Sequence, residues 1–169
     1  MKYTAGSNID QQEVGFVVHQ PEEVKKDKAL LEKLIALQIQ LFYASDSYDH
    51  VYGLRTRKYT AKEDRDTATR LILQSQIYVV MLGDEIAGMC RVMPAEHLDT
   101  IYVGGLVIDE RYRGQHLGRR LLEHVIKTNS TKNCELGVML SNKVGLALYE
   151  SLGFKPISCF MVRKKGNLT

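Results

Sequence analysis

The chain has 169 residues, 44% of them hydrophobic and 25% charged, with a net charge of +3 at pH 7. That length suits one domain with a full core, and the balance is that of an ordinary globular protein. The charge is too slight to argue for a nucleic-acid partner, and no apolar run approaches the ~18 residues of a membrane span.

Residues 1 to about 13 are polar and predict a flexible N-terminus without the form of a signal peptide, leaving 14–169 as one domain. Cys90, Cys134 and Cys159 are widely spaced, with no CxxC pair. They read as reduced core residues of a cytoplasmic protein. Val14 to His19 suits a first strand. Pro21 opens an acidic-basic run, and a helix is predicted from about Asp27 to Ala44. Its apolar positions, Leu30, Leu31, Leu34, Ile35, Leu37, Leu41 and Phe42, make a broad packing face. Ser45 to Tyr59 is a polar, aromatic stretch holding Asp46, Tyr48, Asp49, His50 and Tyr52. It reads either as a solvated connector or as a lid whose carboxylates attract a cationic amine. Thr60-Ala61-Lys62-Glu63 has capping-box spacing, and the helix that it opens is expected to reach about Gln76.

Ile77 to Leu82, Gly83-Asp84 and Glu85 to Met93 predict a β-hairpin with a tight glycine turn, which Pro94 ends. Ala95 to Asp99 is a turn. Ile101 to Ile108 is β-branched and carries Gly104-Gly105, as a strand with a bulge or a close backbone neighbour does. Beyond it, Leu117, Leu121, Leu122, Val125 and Ile126 fall on one helical stripe, with Arg119, Arg120, Glu123, His124 and Lys127 opposite. A strand entering a helix through a glycine-bearing turn leaves several backbone N–H groups pointing one way, a favourable seat for phosphate. The alternative is an ordinary strand-turn-helix corner with solvated arginines, and neither GxGxxG nor GxxxxGK[ST] is present. Asn133 to Leu140 reads as a strand, followed by a helix capped by Ser141 or Asn142 and ended by Gly153. Lys155 to Lys164 predicts a closing strand or hairpin.

Two motifs in order carry a resemblance. Leu106-Val107-Ile108 leads into Arg113-Gly114-Gln115-His116-Leu117-Gly118, and later comes Asn142-Lys143-Val144-Gly145-Leu146-Ala147-Leu148-Tyr149-Glu150-Ser151-Leu152-Gly153-Phe154. From Leu106 to Phe154 the chain resembles the acyl-CoA-binding half of the GNAT superfamily of N-acetyltransferases. Two positions depart from that pattern: His116 replaces the usual middle glycine of the first motif, and Gly145 replaces an alanine of the second. His116 keeps its backbone N–H but cannot adopt positive φ cheaply.

The resemblance implies an α/β single-domain GNAT-like fold: a mixed, mostly antiparallel sheet with helices on both faces and a splay between the two central strands. It implies acetyl-CoA as co-substrate and no metal. The backbone of Leu106, Val107 and Ile108 would take the pantetheine arm, and Arg113, Gly114, Gln115, His116, Leu117, Gly118 and Arg119 the pyrophosphate. Asn142 would contact pantetheine, though a helix N-cap is an equally good role. Tyr149 would be the general acid that protonates the leaving thiolate; a tyrosine near 10 and a thiol near 8.5 put that transfer ~2 kcal/mol uphill. The general base is left open. A lysine-like amine must lose a proton at a cost of ~4–5 kcal/mol, Gly104 and Tyr102 on the central strand are not acids, and Glu135 on the next strand also reads as a surface residue.

The expected function is acetyl-CoA-dependent N-acetylation of a primary amine on a small molecule or peptide, by direct attack on the thioester. The partners would then be acetyl-CoA and an amine acceptor, with no nucleic acid and no membrane; a homodimer is left open. Two alternatives stand beside it: a non-catalytic acyl-CoA-binding sensor or regulatory module, and a binding protein for some other nucleotide.

Overall fold

The computed structural model describes residues 13–44, 60–97 and 99–159. The N-terminal tail, the acidic aromatic stretch at 45–59 and the far half of the expected closing strand lie outside the described residues.

Strand β1 (Val14–His19) leads to helices α1 (Pro21–Lys26), α2 (Lys28–Phe42) and α3 (Ala61–Leu73). Strands β2 (Gln76–Leu82), β3 (Glu85–Pro94) and β4 (Thr100–Ile108) follow, then a short 3₁₀ turn at Glu110–Tyr112. Helix α4 (Leu117–Thr128), strand β5 (Asn133–Leu136) and helix α5 (Lys143–Ser151) complete the described chain. The five strands form one sheet in the order β1-β2-β3-β4-β5, antiparallel except for the parallel pair β4-β5. This is the expected mixed sheet.

Local chemistry accounts for most of the boundaries. Thr60 and Glu63 make the predicted capping box at the start of α3. Gly83 takes the β2-β3 turn at a φ of 56°, a conformation cheap only for glycine. Gly153 ends α5 at a φ of 88°, where the Gly153 amide bonds the Glu150 carbonyl and the Phe154 amide reaches back to Tyr149. That is a Schellman motif. Three expectations need correcting. The acidic-basic run after Gln20 forms helix α1, because Pro21 sits in the first turn and Gln20 with Glu23 makes a capping box. Strand β5 stops at Leu136 rather than Leu140, since β4 gives it no partner beyond Val103. Residues 155–159 form no strand.

Two cores cover the two faces of the sheet. Leu117, Leu121, Leu122 and Val125 of α4 are buried against Tyr78, Cys90, Ile101 and Val103 on one face. Each such side chain contributes ~1.5–3 kcal/mol of burial. On the other face, Leu34, Ile35 and Leu37 of α2 and Ala68 and Ile72 of α3 pack on Ile77, Val79, Met89 and Val107. The helices therefore hold β4 from both sides while one of its edges opens towards β5.

Candidate active site

Strands β4 and β5 pair from Thr100↔Asn133 to Val103↔Leu136 and no further. Residues Gly105 to Ile108 of β4 remain paired with β3 on one edge and, among the described residues, face no strand on the other. The Asp109 amide donates to Ala87 on the β3 side at 2.9 Å. Strand alternation then turns the Val107 amide towards β3 and those of Leu106 and Ile108 into the opening. The Ile108 carbonyl faces that way too, and it accepts from Arg113 Nε at 3.2 Å.

The opening begins at a bulge. Arg91 pairs with Gly105 while Val92 pairs with Val103, so Gly104 is an extra residue in β4. Beneath it lies the guanidinium of Arg91, which is 4% exposed. It donates to the Gly104 carbonyl at 2.5 Å, to Gln38 Oε1 at 2.7 Å and to Ser75 Oγ at 3.4 Å. Among the described residues it has no carboxylate partner. Burial lowers its pKa, and attraction to Cys90 and Tyr102 offsets part of that. A Cβ on Gly104 would stand 2.5 Å from Met93 Cε, and one on Gly105 3.0 Å from Leu41 Cδ2 and 3.3 Å from Arg91. A side chain at Gly104 would have to displace the end of Met93, and one at Gly105 would press on Leu41 and Arg91, so the two glycines leave room for the Arg91 cluster. Sequence reasoning found the glycines and missed Arg91, although a lone charge within Ile86–Met93 was its signal.

At the far end of β4 the buried Asp109 caps the 3₁₀ turn and holds Arg111 through a 3.0 Å ion pair. Its hydrogen bond from Arg111 keeps its carboxyl below the usual range, with burial opposing. Gly114 then turns at a φ of 81° and His116 at 57°, with the His116 ring capping nothing. The first bond of α4 runs from the Arg120 amide to the His116 carbonyl at 3.1 Å. The amides of Gly114 through Arg119 donate to no acceptor among the described residues. A row of unpaired N–H groups at the positive end of a helix is suited to a diphosphate. Of the three arginines here, Arg113 holds the Ile108 carbonyl, Arg120 is exposed, and Arg119 is turned to Glu123 and Ser151. That leaves Arg119 its backbone amide as the group nearest the helix start.

Asn142 accepts the Gly145 amide at 2.7 Å and so caps α5. A Cβ on Gly145 would fall 2.7–2.9 Å from the Asn142 side chain, so a larger residue there would shift the cap. Tyr149 is half-buried, lies edge-on to Phe154 at 5.9 Å, and lines a cavity of about 690 Å³ with Leu136, Gly137 and Leu146. Glu135 lies in the same lining and stands beside Tyr102 in register.

Residues 42–154 match the model of the acetyltransferase (GNAT) family. The chain is 26% identical over 117 residues to a Bacillus subtilis (strain 168) protein provisionally named a ribosomal protein bS18-alanine N-acetyltransferase, covering 66% of this chain and 76% of that one. To the Escherichia coli (strain K12) ribosomal protein bS18-alanine N-acetyltransferase it is 42% identical over 60 residues, covering 34% of this chain but only 40% of that protein. Among solved structures, an aminoglycoside acetyltransferase from an uncultured soil metagenomic sample in complex with sisomicin superposes with a TM-score of 0.58 at 15% identity, covering 94% of this chain and 100% of that one. An IAA acetyltransferase from Bacillus cereus gives 0.59 at 19% identity, covering 86% and 79%. At such identities these two structures speak for the fold.

Proposed function

This chain belongs to the acetyltransferase (GNAT) family and is an N-acetyltransferase, and from there we propose that it carries the acetyl group of acetyl-CoA to a primary amine of a peptide or small molecule. The observation that carries this reading is the row of amides from Gly114 to Arg119 that find no acceptor among the described residues, set at the end of a strand whose other edge meets no described strand. The diphosphate rests on those amides. The pantetheine arm runs along Leu106 to Ile108 as an added strand would, its amides bonded to theirs. Passing the splay from the α4 side, the thioester emerges towards α2 and α3, where the acceptor approaches.

The amine nitrogen forms a bond to the thioester carbon, the carbon–sulfur bond breaks, and its electron pair stays on sulfur. Negative charge gathers on the carbonyl oxygen in between, and the Leu106 amide is the preorganised donor for it. Tyr149 gives the proton that the thiolate takes up, and the proton that nitrogen releases to solvent restores the phenol. The likeness to alanine N-acetyltransferases of a ribosomal protein supports a peptide α-amine as acceptor. An α-amine near 7.7–8.0 sheds its proton far more readily than a lysine near 10.4, which suits a site with no assigned base. Of the three free cysteines Cys90 is buried, Cys134 half-buried and Cys159 exposed rather than in the core as expected; all three unpaired, they favour a reducing compartment such as the cytoplasm. Among the described residues no helix is long and apolar enough to cross a membrane.

The test is thiol release from acetyl-CoA with a panel of amines, including an alanine-initiated peptide and an aminoglycoside. Turnover that falls sharply in Tyr149→Phe bears the reading out. Cofactor binding with no turnover on any amine contradicts it and favours a sensing module.

A further inference from the structure

Tyr102 occupies a position that the reading above leaves without a task. It lies on β4 just ahead of the bulge and pairs with Glu135 one step before the strands part. Ile101 and Val103 pack with α4, so Tyr102 between them projects to the opposite face, that of α2 and Arg91. Its hydroxyl reaches across the sheet: a side chain on Gly137, the first residue of the β5 line past the pairing, would begin 3.2 Å from it. The phenol thus lies over the mouth of the splay on the side where the thioester emerges. The ring is half-buried, and the hydroxyl has no hydrogen-bond partner among the described residues. On the same face lies Arg91, a buried guanidinium with no carboxylate partner among the described residues.

A hydroxyl without a partner at a strand divergence, with a cation behind it that meets no carboxylate among the described residues, suits one kind of partner. That partner is an oxygen on which negative charge develops. We propose that Tyr102 is a catalytic residue of this transferase: its hydroxyl donates a hydrogen bond to the thioester oxygen as the tetrahedral centre forms. It does so opposite the Leu106 amide, and Arg91 acts as the positioning residue that fixes the bulge and biases the local field. The inference rests on the acetyl-CoA reading. It adds no reactant to the transfer, since nitrogen loses one proton, sulfur gains one, and the phenol keeps its own.

The test uses the whole chain labelled with ¹³Cζ-tyrosine, with the Tyr102 signal identified by its loss in Tyr102→Phe. Coenzyme A and acetyl-CoA are titrated in turn while calorimetry follows binding. The expected result is a shift of the Tyr102 signal with acetyl-CoA well beyond any shift with coenzyme A. On the amine that the wild-type chain acetylates fastest, Tyr102→Phe should lower kcat about 100-fold while KM for acetyl-CoA stays within about threefold, as loss of one oxyanion donor does. Two bound ligands with an unmoved Tyr102 signal, or a variant with unchanged kcat, overturn the inference and leave the transferase standing. No binding of either ligand removes the acetyl-CoA reading and this inference together.

Discussion

Val103 and Leu136 form the last pair between the two parallel strands, and past them β4 runs on to Ile108 paired with β3 alone among the described strands. The amides of Leu106 and Ile108 therefore have no described strand to bond, whereas the Val107 amide faces β3. Hydrogen exchange reads this directly. Without ligand, Leu106 and Ile108 should exchange faster than Val107. Acetyl-CoA should slow both at least about tenfold, as ordering of an exposed edge does. Equal protection of all three without ligand would mean that the edge is already covered.

His116 holds a φ of 57° at the start of α4, where its ring caps nothing. Left-handed backbone costs a non-glycine residue ~1–2 kcal/mol, and glycine returns ~0.5–1 of that through its freer unfolded chain. His116→Gly should accordingly raise the unfolding free energy by about 0.5–1 kcal/mol in urea titration, and His116→Val should lower it. If the glycine variant is the less stable, the ring does structural work that its surroundings do not reveal.

Arg91 bonds three neutral acceptors beneath the bulge: Gln38, Ser75 and the carbonyl of Gly104. Arg91→Met keeps much of the volume and strands those acceptors. A loss of about 2–4 kcal/mol is expected, with Arg91→Lys losing less because it can still reach one or two of them. Urea midpoints check it; an undiminished Arg91→Met would show that the bulge holds itself.

His124 stacks on Phe16, ring centroids 4.6 Å apart and 10° between planes, with Tyr78 edge-on at 6.1 Å. Burial lowers its pKa, and the charge of Lys127 lowers it further. In the unfolded chain it titrates near 6.5, so just below that pH the unfolded state holds more protons than the native one. Its contribution to stability is therefore complete above about 6.5 and is lost as pH falls through the lower folded value. His124→Phe keeps the stack and should flatten the stability profile below about pH 6.5. An unchanged slope would assign that dependence to other groups.

The parts of this site that depend on local order were legible in the amino-acid sequence. Leu117, Leu121, Leu122 and Val125 announced α4 by spacing alone, and Gly104-Gly105 announced a disturbed strand. Asn142 could be read as a cap, and it is one. What escaped is what only packing creates. Arg91 is one charge in an apolar strand until Gln38, 53 residues away in the chain, closes on it. Tyr102 looks like any strand aromatic until the register with β5 sets its hydroxyl against Gly137. Helix α1 went unread because its six residues show no apolar stripe, only the cap and proline that begin it.

The central claim is that the helix start at Gly114–Arg119 and the open edge of β4 together hold coenzyme A. Isothermal titration of the full chain with coenzyme A tests it most directly, alongside Gly118→Asp, which sets a carboxylate among the unpaired amides where a Cβ has room. The account predicts one molecule bound per wild-type chain and binding weakened at least about tenfold in the variant, a loss of about 1.4 kcal/mol. No heat with the wild-type chain, or equal affinity in both, would contradict it.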